Sequence, residues 1–306
     1  MRKEEVARNR LQAFESGAVT SIAVAPHGAS QVVAASWNGE VTSWNLAEGT
    51  KLWSVTVLPR GMLEIAAMPD GRLLACGGGS GEIVVLSLGT GKTEARRAEG
   101  APIITLAACR SGSRVLVGRD GGVIELWSTD KWRREWHYAV AGSVVRVHEF
   151  QGGAIARVGD RVLVLDAKGR LISTTGATLE STLLAPFGQH LLLGAQRNGS
   201  QLELRSSQGE LLRTWRSPGV RLVEWIGGGR WVIGSWRNER GSVRIVDRHW
   251  RCVAKSPFRA RLPVFAVARW RNSLIEGGYE GLLTVWTPRD PRKVFGAEGT
   301  SDPDCV

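Results

Sequence analysis

Cysteine and histidine are the residue types of this 306-residue chain that could bind a metal ion or form a redox pair. The four cysteines, Cys76, Cys109, Cys252 and Cys305, include no Cys-x-x-Cys pair, and the five histidines are scattered along the chain. Such spacing is unlike that of a zinc ribbon or a thioredoxin-type site. We therefore expect no metal and no cofactor, and we expect free thiols in a reducing compartment.

Two glycine-rich segments could suggest enzymatic chemistry. Residues 89–93 are similar to the end of a phosphate-binding loop, but Leu86 stands where that loop needs a glycine, and a helix would have to follow. Residues 77–81 do not complete a Gly-x-Ser-x-Gly motif, because Glu82 takes the place of its last glycine. The sequence shows no Ser/His/Asp or Cys/His arrangement, so we expect no catalytic residues.

The composition is that of a globular protein with an excess of positive charge. Hydrophobic residues make up 43% of the chain, and the formal net charge is +11. No apolar run approaches the roughly 18 residues of a membrane span. The acidic residues Glu4 and Glu5 are not followed by the apolar stretch of a secretory signal. We therefore expect a cytoplasmic protein without membrane contact.

A repeat of about 40 residues runs along the chain. In each unit a β-rich segment ends in a large residue, and the next residue is polar and favours a turn by bonding to the backbone two residues on. The steps between successive large residues are 42, 41, 38, 40, 41 and 40. The marker pairs are Trp44-Asn45, Leu86-Ser87, Trp127-Ser128, Leu165-Asp166, Arg205-Ser206, Val246-Asp247 and Trp286-Thr287. This spacing is typical of propeller blades.

Each unit contains four short segments of strand-forming residues separated by turn residues, which indicates an all-β fold. The sequence predicts a seven-bladed β-propeller of four-stranded antiparallel blades as one domain over residues 17–297. Residues 1–16 form an N-terminal head, and residues 298–306 form a flexible tail. Residues 11–14 and 292–295 compete to supply the outer strand that closes the ring, and we favour the N-terminal segment. Residues 4–14 are also the one segment that could form a short helix.

The chain resembles the WD40 repeat family over residues 11–297. The resemblance rests on the markers Trp44-Asn45, Trp127-Ser128 and Trp286-Thr287, and on Pro-x-Gly turns at residues 26–28 and 69–71. The Gly-His dipeptide of that family is absent from every blade. The segment from Gly49 to Trp53 also looks like a turn of quinoprotein-type propellers. The WD40 resemblance implies a scaffold whose hairpins between strands two and three form a face on which partners bind.

Aromatic residues are predicted on that face in three blades that become neighbours when the ring closes. Trp37 in blade 1, Trp236 in blade 6 and Tyr279 in blade 7 are the expected anchors of a protein partner. Arg237 and Arg240 accompany Trp236 in a hairpin about two residues longer than its counterparts. Tryptophan, tyrosine and arginine are enriched at binding hot spots. The alternative is that the aromatic rings pack between blades and are buried.

Most of the excess charge lies in one stretch of the sequence. Residues 216–271 contain thirteen lysines and arginines against three acids, so the other 250 residues contribute only +1. Arginines can bind phosphate and stack on bases, dock an acidic protein, or remain solvated without a ligand. The candidate contacts of this basic sector with nucleic acid or an acidic partner are Arg221, Arg244, Arg248, Arg251, Arg259 and Arg261.

The sequence therefore favours a non-enzymatic cytoplasmic scaffold that binds a protein partner through the face of blades 6, 7 and 1. The chain would be a monomer or a subunit of a hetero-complex. The alternative is a nucleic-acid-associated subunit that uses the basic sector. A propeller enzyme would need side chains that meet in the central channel, whereas inner segments such as residues 22–24 and 106–108 are small and apolar.

Overall fold

The computed structural model describes residues 8–294, apart from residues 16, 27–28, 60, 78, 99, 177–183, 188–189, 195–200, 207, 209, 228, 238–239, 259–262 and 292–293. Within this part of the chain the structure contains 28 β-strands. Short segments rich in β-branched and apolar residues form the strands, and turns that often contain glycine separate them.

The strands follow one another along the chain with short connections. The first strand is β1 (Arg8–Gln12). Blades 1 to 3 comprise β2 (Val19–Val24), β3 (Gln31–Ser36), β4 (Glu40–Asn45), β5 (Thr50–Thr56), β6 (Leu63–Ala67), β7 (Arg72–Gly77), β8 (Glu82–Ser87), β9 (Thr93–Ala98), β10 (Ile103–Ala108), β11 (Arg114–Arg119), β12 (Val123–Ser128) and β13 (Arg133–Ala139). Blades 4 and 5 comprise β14 (Val144–Phe150), β15 (Gly153–Val158), β16 (Arg161–Leu165), β17 (Leu171–Gly176), β18 (Leu184–Phe187), β19 (His190–Gly194), β20 (Gln201–Ser206) and β21 (Leu211–Arg216). Blades 6 and 7 comprise β22 (Val220–Gly227), β23 (Arg230–Arg237), β24 (Arg240–Asp247), β25 (Cys252–Lys255), β26 (Val264–Trp270), β27 (Ser273–Gly278) and β28 (Leu282–Trp286).

The strands form four-stranded antiparallel sheets, which are the blades of a β-propeller. In the described residues there are seven such sheets, and within each of blades 1 to 6 consecutive strands pair in order. The innermost strand of each blade contacts that of the next, and β26 of the last blade contacts β2 of the first. The sheets therefore close into a ring, and in the described residues the strands pair by backbone hydrogen bonds only within a blade.

The N-terminal strand closes the ring. β1 pairs antiparallel with β28, with Leu11 opposite Leu283, and so becomes the outer strand of blade 7. Residues 8–12 are thus extended, and the short helix considered for residues 4–14 is wrong over this range, because Leu11 packs in the apolar cluster between blades 7 and 1. Val294, from the competing C-terminal segment, is buried in the cluster formed by blades 6 and 7.

The core lies between neighbouring blades rather than inside any one of them. The second and third strands of blades 1 and 2 are almost fully buried, whereas the fourth strand β5 alternates between exposed and half-buried residues. One apolar cluster joins Val33 and Val41 of blade 1 to Leu63 and Leu73 of blade 2. Removal of these stacked sheet faces from water is the main term that stabilises the ring.

The polar residue after the repeat marker organises the turn between strands three and four. The side-chain oxygens of Asn45, Asp166 and Asp247 each accept a hydrogen bond from the backbone N–H two residues on, at 3.0, 2.9 and 2.9 Å. This geometry confirms the turn predicted at these three markers.

Tryptophans on outer strands connect a blade to the next one. The indole of Trp53 in blade 1 donates a hydrogen bond to the carbonyl of Leu88 in blade 2, at 3.0 Å. Its ring lies against Gly91, so closely that a Cβ atom at residue 91 would stand 2.6 Å from the indole. Trp136 of blade 3 stands in the same relation to Gly169 of blade 4. Each glycine thus makes room for the preceding blade's tryptophan.

Replacing Gly91 with alanine should lower the free energy of unfolding more than the same change at Gly71. Both residues have positive φ angles, 70° and 86°, so each substitution should cost about 1–2 kcal/mol in backbone strain. Nothing lies within 4 Å of a Cβ atom at residue 71, whereas one at residue 91 would collide with Trp53. We expect a further loss of about 1–3 kcal/mol from this overpacking. Urea unfolding of both variants measures the difference, and equal losses would contradict the docking of Trp53.

Candidate functional site

The rim of the propeller is the end of the ring at which the second and third strands of each blade are joined. Here Trp37, Trp236 and Tyr279 occupy equivalent positions in three adjacent blades. Each donates its backbone N–H to the carbonyl of the residue that precedes the innermost strand of its own blade, at 2.9, 2.7 and 3.4 Å respectively. The accepting residues are Ala18, Gly219 and Pro263.

The three aromatic side chains differ in exposure. Trp37 is 49% exposed and Tyr279 is 59% exposed. Trp236 is half-buried, because it lies inside the long strand β23, opposite Gly241 of β24. Trp37 and Tyr279 can therefore contact a partner directly, whereas much of the Trp236 ring packs within the rim.

Arg221, Arg237 and Arg240 give the rim of blade 6 its charge. Arg237 and Arg240 are paired residues at the end of the β23–β24 hairpin, and both are exposed. Strands β23 and β24 have eight residues each, against six in blade 1, so the hairpin projects further than its counterpart in blade 1. Arg221 is exposed beside them at the start of β22.

Three further apolar residues on the rim were missed by the sequence analysis. Met62 is 53% exposed, Phe265 is 38% exposed and Ile104 is 37% exposed. The Phe265 ring lies 6.4 Å from that of Tyr279, in a tilted arrangement. Aromatic pairs of this kind are stabilised beyond the area that they bury.

β-Bulges at the rim end of the innermost strands explain the exposure of Ile104 and Phe265. The pairing register shifts at the second residue of this strand in blades 1, 3, 4, 6 and 7. A bulge re-aims one side chain and bends the strand. The residues at the shifts are Thr20, Ile104, Val145, Arg221 and Phe265. Of these residues, Ile104, Arg221 and Phe265 are exposed. The simple alternation of a strand does not predict their exposure, and no local sequence signal marks the bulges.

The basic sector predicted from the sequence does not form one surface. Arg221 lies at the rim, whereas Arg248 follows β24 in the turn at the opposite end of blade 6. Arg251, at that same end, forms an ion pair with Asp247 at 2.9 Å. The half-buried Arg244 donates to the Ser217 hydroxyl at 2.6 Å. The remaining two residues of this set, at 259 and 261, lie outside the described residues.

The central channel contains charged residues, so the expectation of a small and apolar lining is wrong. The channel has a volume of about 230 Å³ and is lined by residues of the innermost strands, among them Glu64, Arg146 and Glu224. The Arg146 guanidinium donates to Glu64 at 2.5 Å and lies 3.8 Å from Glu224. Glu64 also accepts the backbone N–H of Leu106 at 2.6 Å. The cluster connects blades 2, 3, 4 and 6 across the channel.

Burial and the short distances between the three charges shift the pKa values of Arg146 and Glu224. Glu64 raises the pKa of Arg146, so the guanidinium stays charged. Burial raises the pKa of Glu224, while Arg146 lowers it and Glu64 raises it further. Arg146 lies within ion-pair distance of both carboxylates, so it links the innermost strands of blades 2 and 6.

The described residues contain no group of three or more His, Cys, Asp or Glu side chains that could hold a metal ion. Burial raises the pKa of Cys76, and it raises the pKa of Cys109 to about 12, so both residues remain thiols at neutral pH. Within the glycine-rich segment 89–93, Gly91 lies under Trp53 of the preceding blade. No helix in the described part of the chain is long and apolar enough to cross a membrane.

Comparison with protein families identifies a related family. A family model described as "Outer membrane protein assembly factor BamB" matches residues 37–210, which is more than half of the chain. The matched segment runs from the rim of blade 1 into blade 5 and includes both tryptophan–glycine contacts between blades. No significant match is found among curated proteins. The propeller predicted from the repeat is thus supported, whereas membership of the WD40 family is not.

Proposed function

We propose that this chain is a non-enzymatic scaffold that binds a protein partner. The proposal starts from its family, since the chain belongs to the family of the outer membrane protein assembly factor BamB. The partner would bind at the rim of blades 6, 7 and 1. The observation that carries this proposal is the exposure of Trp37 and Tyr279 at equivalent positions of adjacent blades. Large exposed aromatics on a rigid scaffold are typical of binding hot spots.

The family description supports a role in a protein complex. The assembly function stated in that description belongs to the family, and we extend to this chain only the binding of another protein. The nucleic-acid alternative is less well supported, since the candidate arginines that the structure describes divide between the two ends of blade 6. The cytoplasmic location expected from the sequence stays a prediction.

Removing the two exposed aromatics should abolish partner capture without unfolding the protein. The tagged chain, its Trp37→Ala/Tyr279→Ala variant and a Leu52→Ala/Ile172→Ala control would be purified from native cells with and without nuclease. Leu52 and Ile172 are 47% and 57% exposed but lie on the outer strands β5 and β17. We expect the wild type and the control to retain the same partner, and the rim variant to lose it at least about tenfold.

The melting temperature of each variant serves as the folding control in this experiment. Equal capture by the rim variant and the wild type would exclude the rim as the binding face. A partner that disappears after nuclease treatment would indicate a nucleic-acid bridge and would contradict direct protein binding.

A further inference from the structure

The large exposed apolar side chains of the described residues fall into two groups. One group lies on the outermost strands: Leu52, Leu171, Ile172, Leu211, Leu212 and Val253. The other group lies at the rim of blades 7, 1, 2 and 3, and we call it the rim crescent. Its members are Trp37, Met62, Ile104, Phe265 and Tyr279. The crescent places two aromatic rings in contact and follows the mouth of the channel across adjacent blades.

Three arginines continue the rim crescent on its blade 6 side, and we call them the rim arginines. Arg221, Arg237 and Arg240 are exposed, and none of them forms an ion pair within the part of the chain that the structure describes. The sequence places Glu239 in the same hairpin, outside the described residues. The rim of blade 6 therefore offers positive charge that the protein's described carboxylates do not neutralise.

The arginines at the opposite end of the blades provide the contrast. There Arg72 pairs with Asp70, Arg170 pairs with Asp166 at 2.7 Å, and Arg251 pairs with Asp247. Each of these cations is matched to a carboxylate of its own turn. Unlike these three arginines, the rim arginines form no ion pair with a described carboxylate of their own blade.

Carboxylates at the rim limit the positions at which an acidic part of a ligand could bind. Glu280 in blade 7 and Asp120 in blade 3 are exposed beside the rim crescent. The rim arginines lie on blade 6, next to the crescent rather than around it. A complementary surface must therefore be apolar along one part and acidic at one end.

We propose that the rim binds an acidic amphipathic segment of a partner protein. Apolar side chains of the segment pack on the rim crescent, and carboxylates at one end pair with the rim arginines. Arginine and carboxylate form two parallel hydrogen bonds in such pairs, and the apolar contact supplies the affinity that exposed ion pairs lack. The proposal rests on the proposed function and adds the chemistry of the partner.

A labelled amphipathic peptide of about 18 residues tests this chemistry, with leucines along one helical face and glutamates grouped at one end. Fluorescence anisotropy would measure its affinity for the full chain. The comparison peptides replace every glutamate with lysine, or scramble the sequence so that no apolar face remains. We expect only the original peptide to bind, and we expect its affinity to fall as salt screens the ion pairs.

Matched variants locate the site on the surface. Arg237→Glu/Arg240→Glu and Met62→Ser/Phe265→Ser should each weaken binding at least about tenfold. Lys131→Glu/Arg133→Glu makes the same change of net charge at exposed residues of blade 3, at the end opposite the rim, and it should leave the affinity within about twofold. Circular dichroism melting shows whether each variant is folded, and single substitutions replace any double variant that is not.

Several results would contradict the proposal that the rim binds an acidic amphipathic segment. Equal binding of the lysine or scrambled peptide, or equal weakening by the control variant, would overturn the proposal. Binding of an oligothymidylate that Arg237→Glu/Arg240→Glu removes, without peptide binding, would assign the rim arginines to nucleic acid. Failure of the peptide together with rim-dependent capture from cells would refute the acidic chemistry and leave the scaffold proposal intact.

Discussion

Replacing Glu125 with alanine should lower the free energy of unfolding by about 3–5 kcal/mol, the largest loss that we expect from any single ion pair of this protein. Glu125 and Arg119 are 3% and 4% exposed, and their side chains meet at 2.8 Å. Trp127 and Arg134 also donate to the same carboxylate, at 3.0 and 2.9 Å. The substitution leaves the Arg119 guanidinium buried without its charge partner, which is far more costly than losing an exposed pair.

The same network keeps Glu125 ionised. Burial would raise the pKa of this carboxyl group, but hydrogen bonds from Arg119, Trp127 and Arg134 hold it below its ordinary value. The carboxylate is therefore charged throughout the neutral range, and the loss in Glu125→Ala should not depend on pH between about 6 and 8.

An exposed ion pair in blade 2 provides the control for Glu125. Arg96 and Glu82 are 49% and 42% exposed and lie 2.8 Å apart, so Glu82→Ala should cost only about 0–1 kcal/mol. The double variant Arg119→Met/Glu125→Leu should recover most of the stability, because no buried charge is then left alone. Urea unfolding measures all three, and a loss below about 1 kcal/mol in Glu125→Ala would contradict a buried charge network.

Replacing Glu276 with glutamine should stabilise the protein by about 3 kcal/mol at pH 8 and should have little effect at pH 4. Burial raises the pKa of Glu276 to about 7, while hydrogen bonds from Ser256 and Trp286 lower it. The side chain is 6% exposed. The folded state therefore favours the protonated acid, which glutamine imitates without a charge.

The sign of the pH dependence follows from this raised pKa. The stabilising contribution of protonated Glu276 is fully present below its ordinary value of 4.5, and it is lost as the pH rises through about 7. Wild-type stability should therefore fall across this window, and Glu276→Gln should remove that part of the slope. The control is Glu280→Gln, because Glu280 is exposed and its substitution should change the free energy of unfolding by no more than about 0.5 kcal/mol. Parallel slopes in wild type and Glu276→Gln would refute the assignment.

The architecture of the blades was accessible from the sequence because it depends on local rules. The spacing of the large markers predicts four-stranded blades, and the polar residues after them predict turns that Asn45, Asp166 and Asp247 make through their side chains. The positions of Trp37 and Tyr279 at the rim follow from the same repeat. These features need only the alternation of a strand and the chemistry of a turn.

The features that were missed depend on register and on distant contacts. A β-bulge shifts the alternation by one residue, so the exposure of Ile104 and Phe265 is not visible in the hydrophobic pattern. Glu64, Arg146 and Glu224 are isolated charges in apolar strands, and only closure of the ring brings them together. Trp236 is half-buried because its hairpin is longer, although the added residues themselves were recognised in the sequence.

The family was misjudged because tryptophan serves two purposes in this chain. The Trp-Asn and Trp-Ser markers favoured the WD40 resemblance, whereas the family match is to a different group of propellers. The segment from Gly49 to Trp53 carried the better signal. Trp53 docks on the glycine of the next blade, and this contact depends on one glycine and one tryptophan in adjacent units rather than on a motif within one unit.

Closure of blade 7 by the N-terminal strand sets the order of events during synthesis. Leu11 is synthesised 272 residues before its partner Leu283. At about 5–20 residues per second, the N-terminal strand must wait roughly tens of seconds for the sheet that it completes. Blades 1 to 6 have all their strands before β28 is made, whereas the last blade can form only once β28 has emerged. Until then the apolar faces on either side of the open ring stay accessible to chaperones or to neighbouring chains.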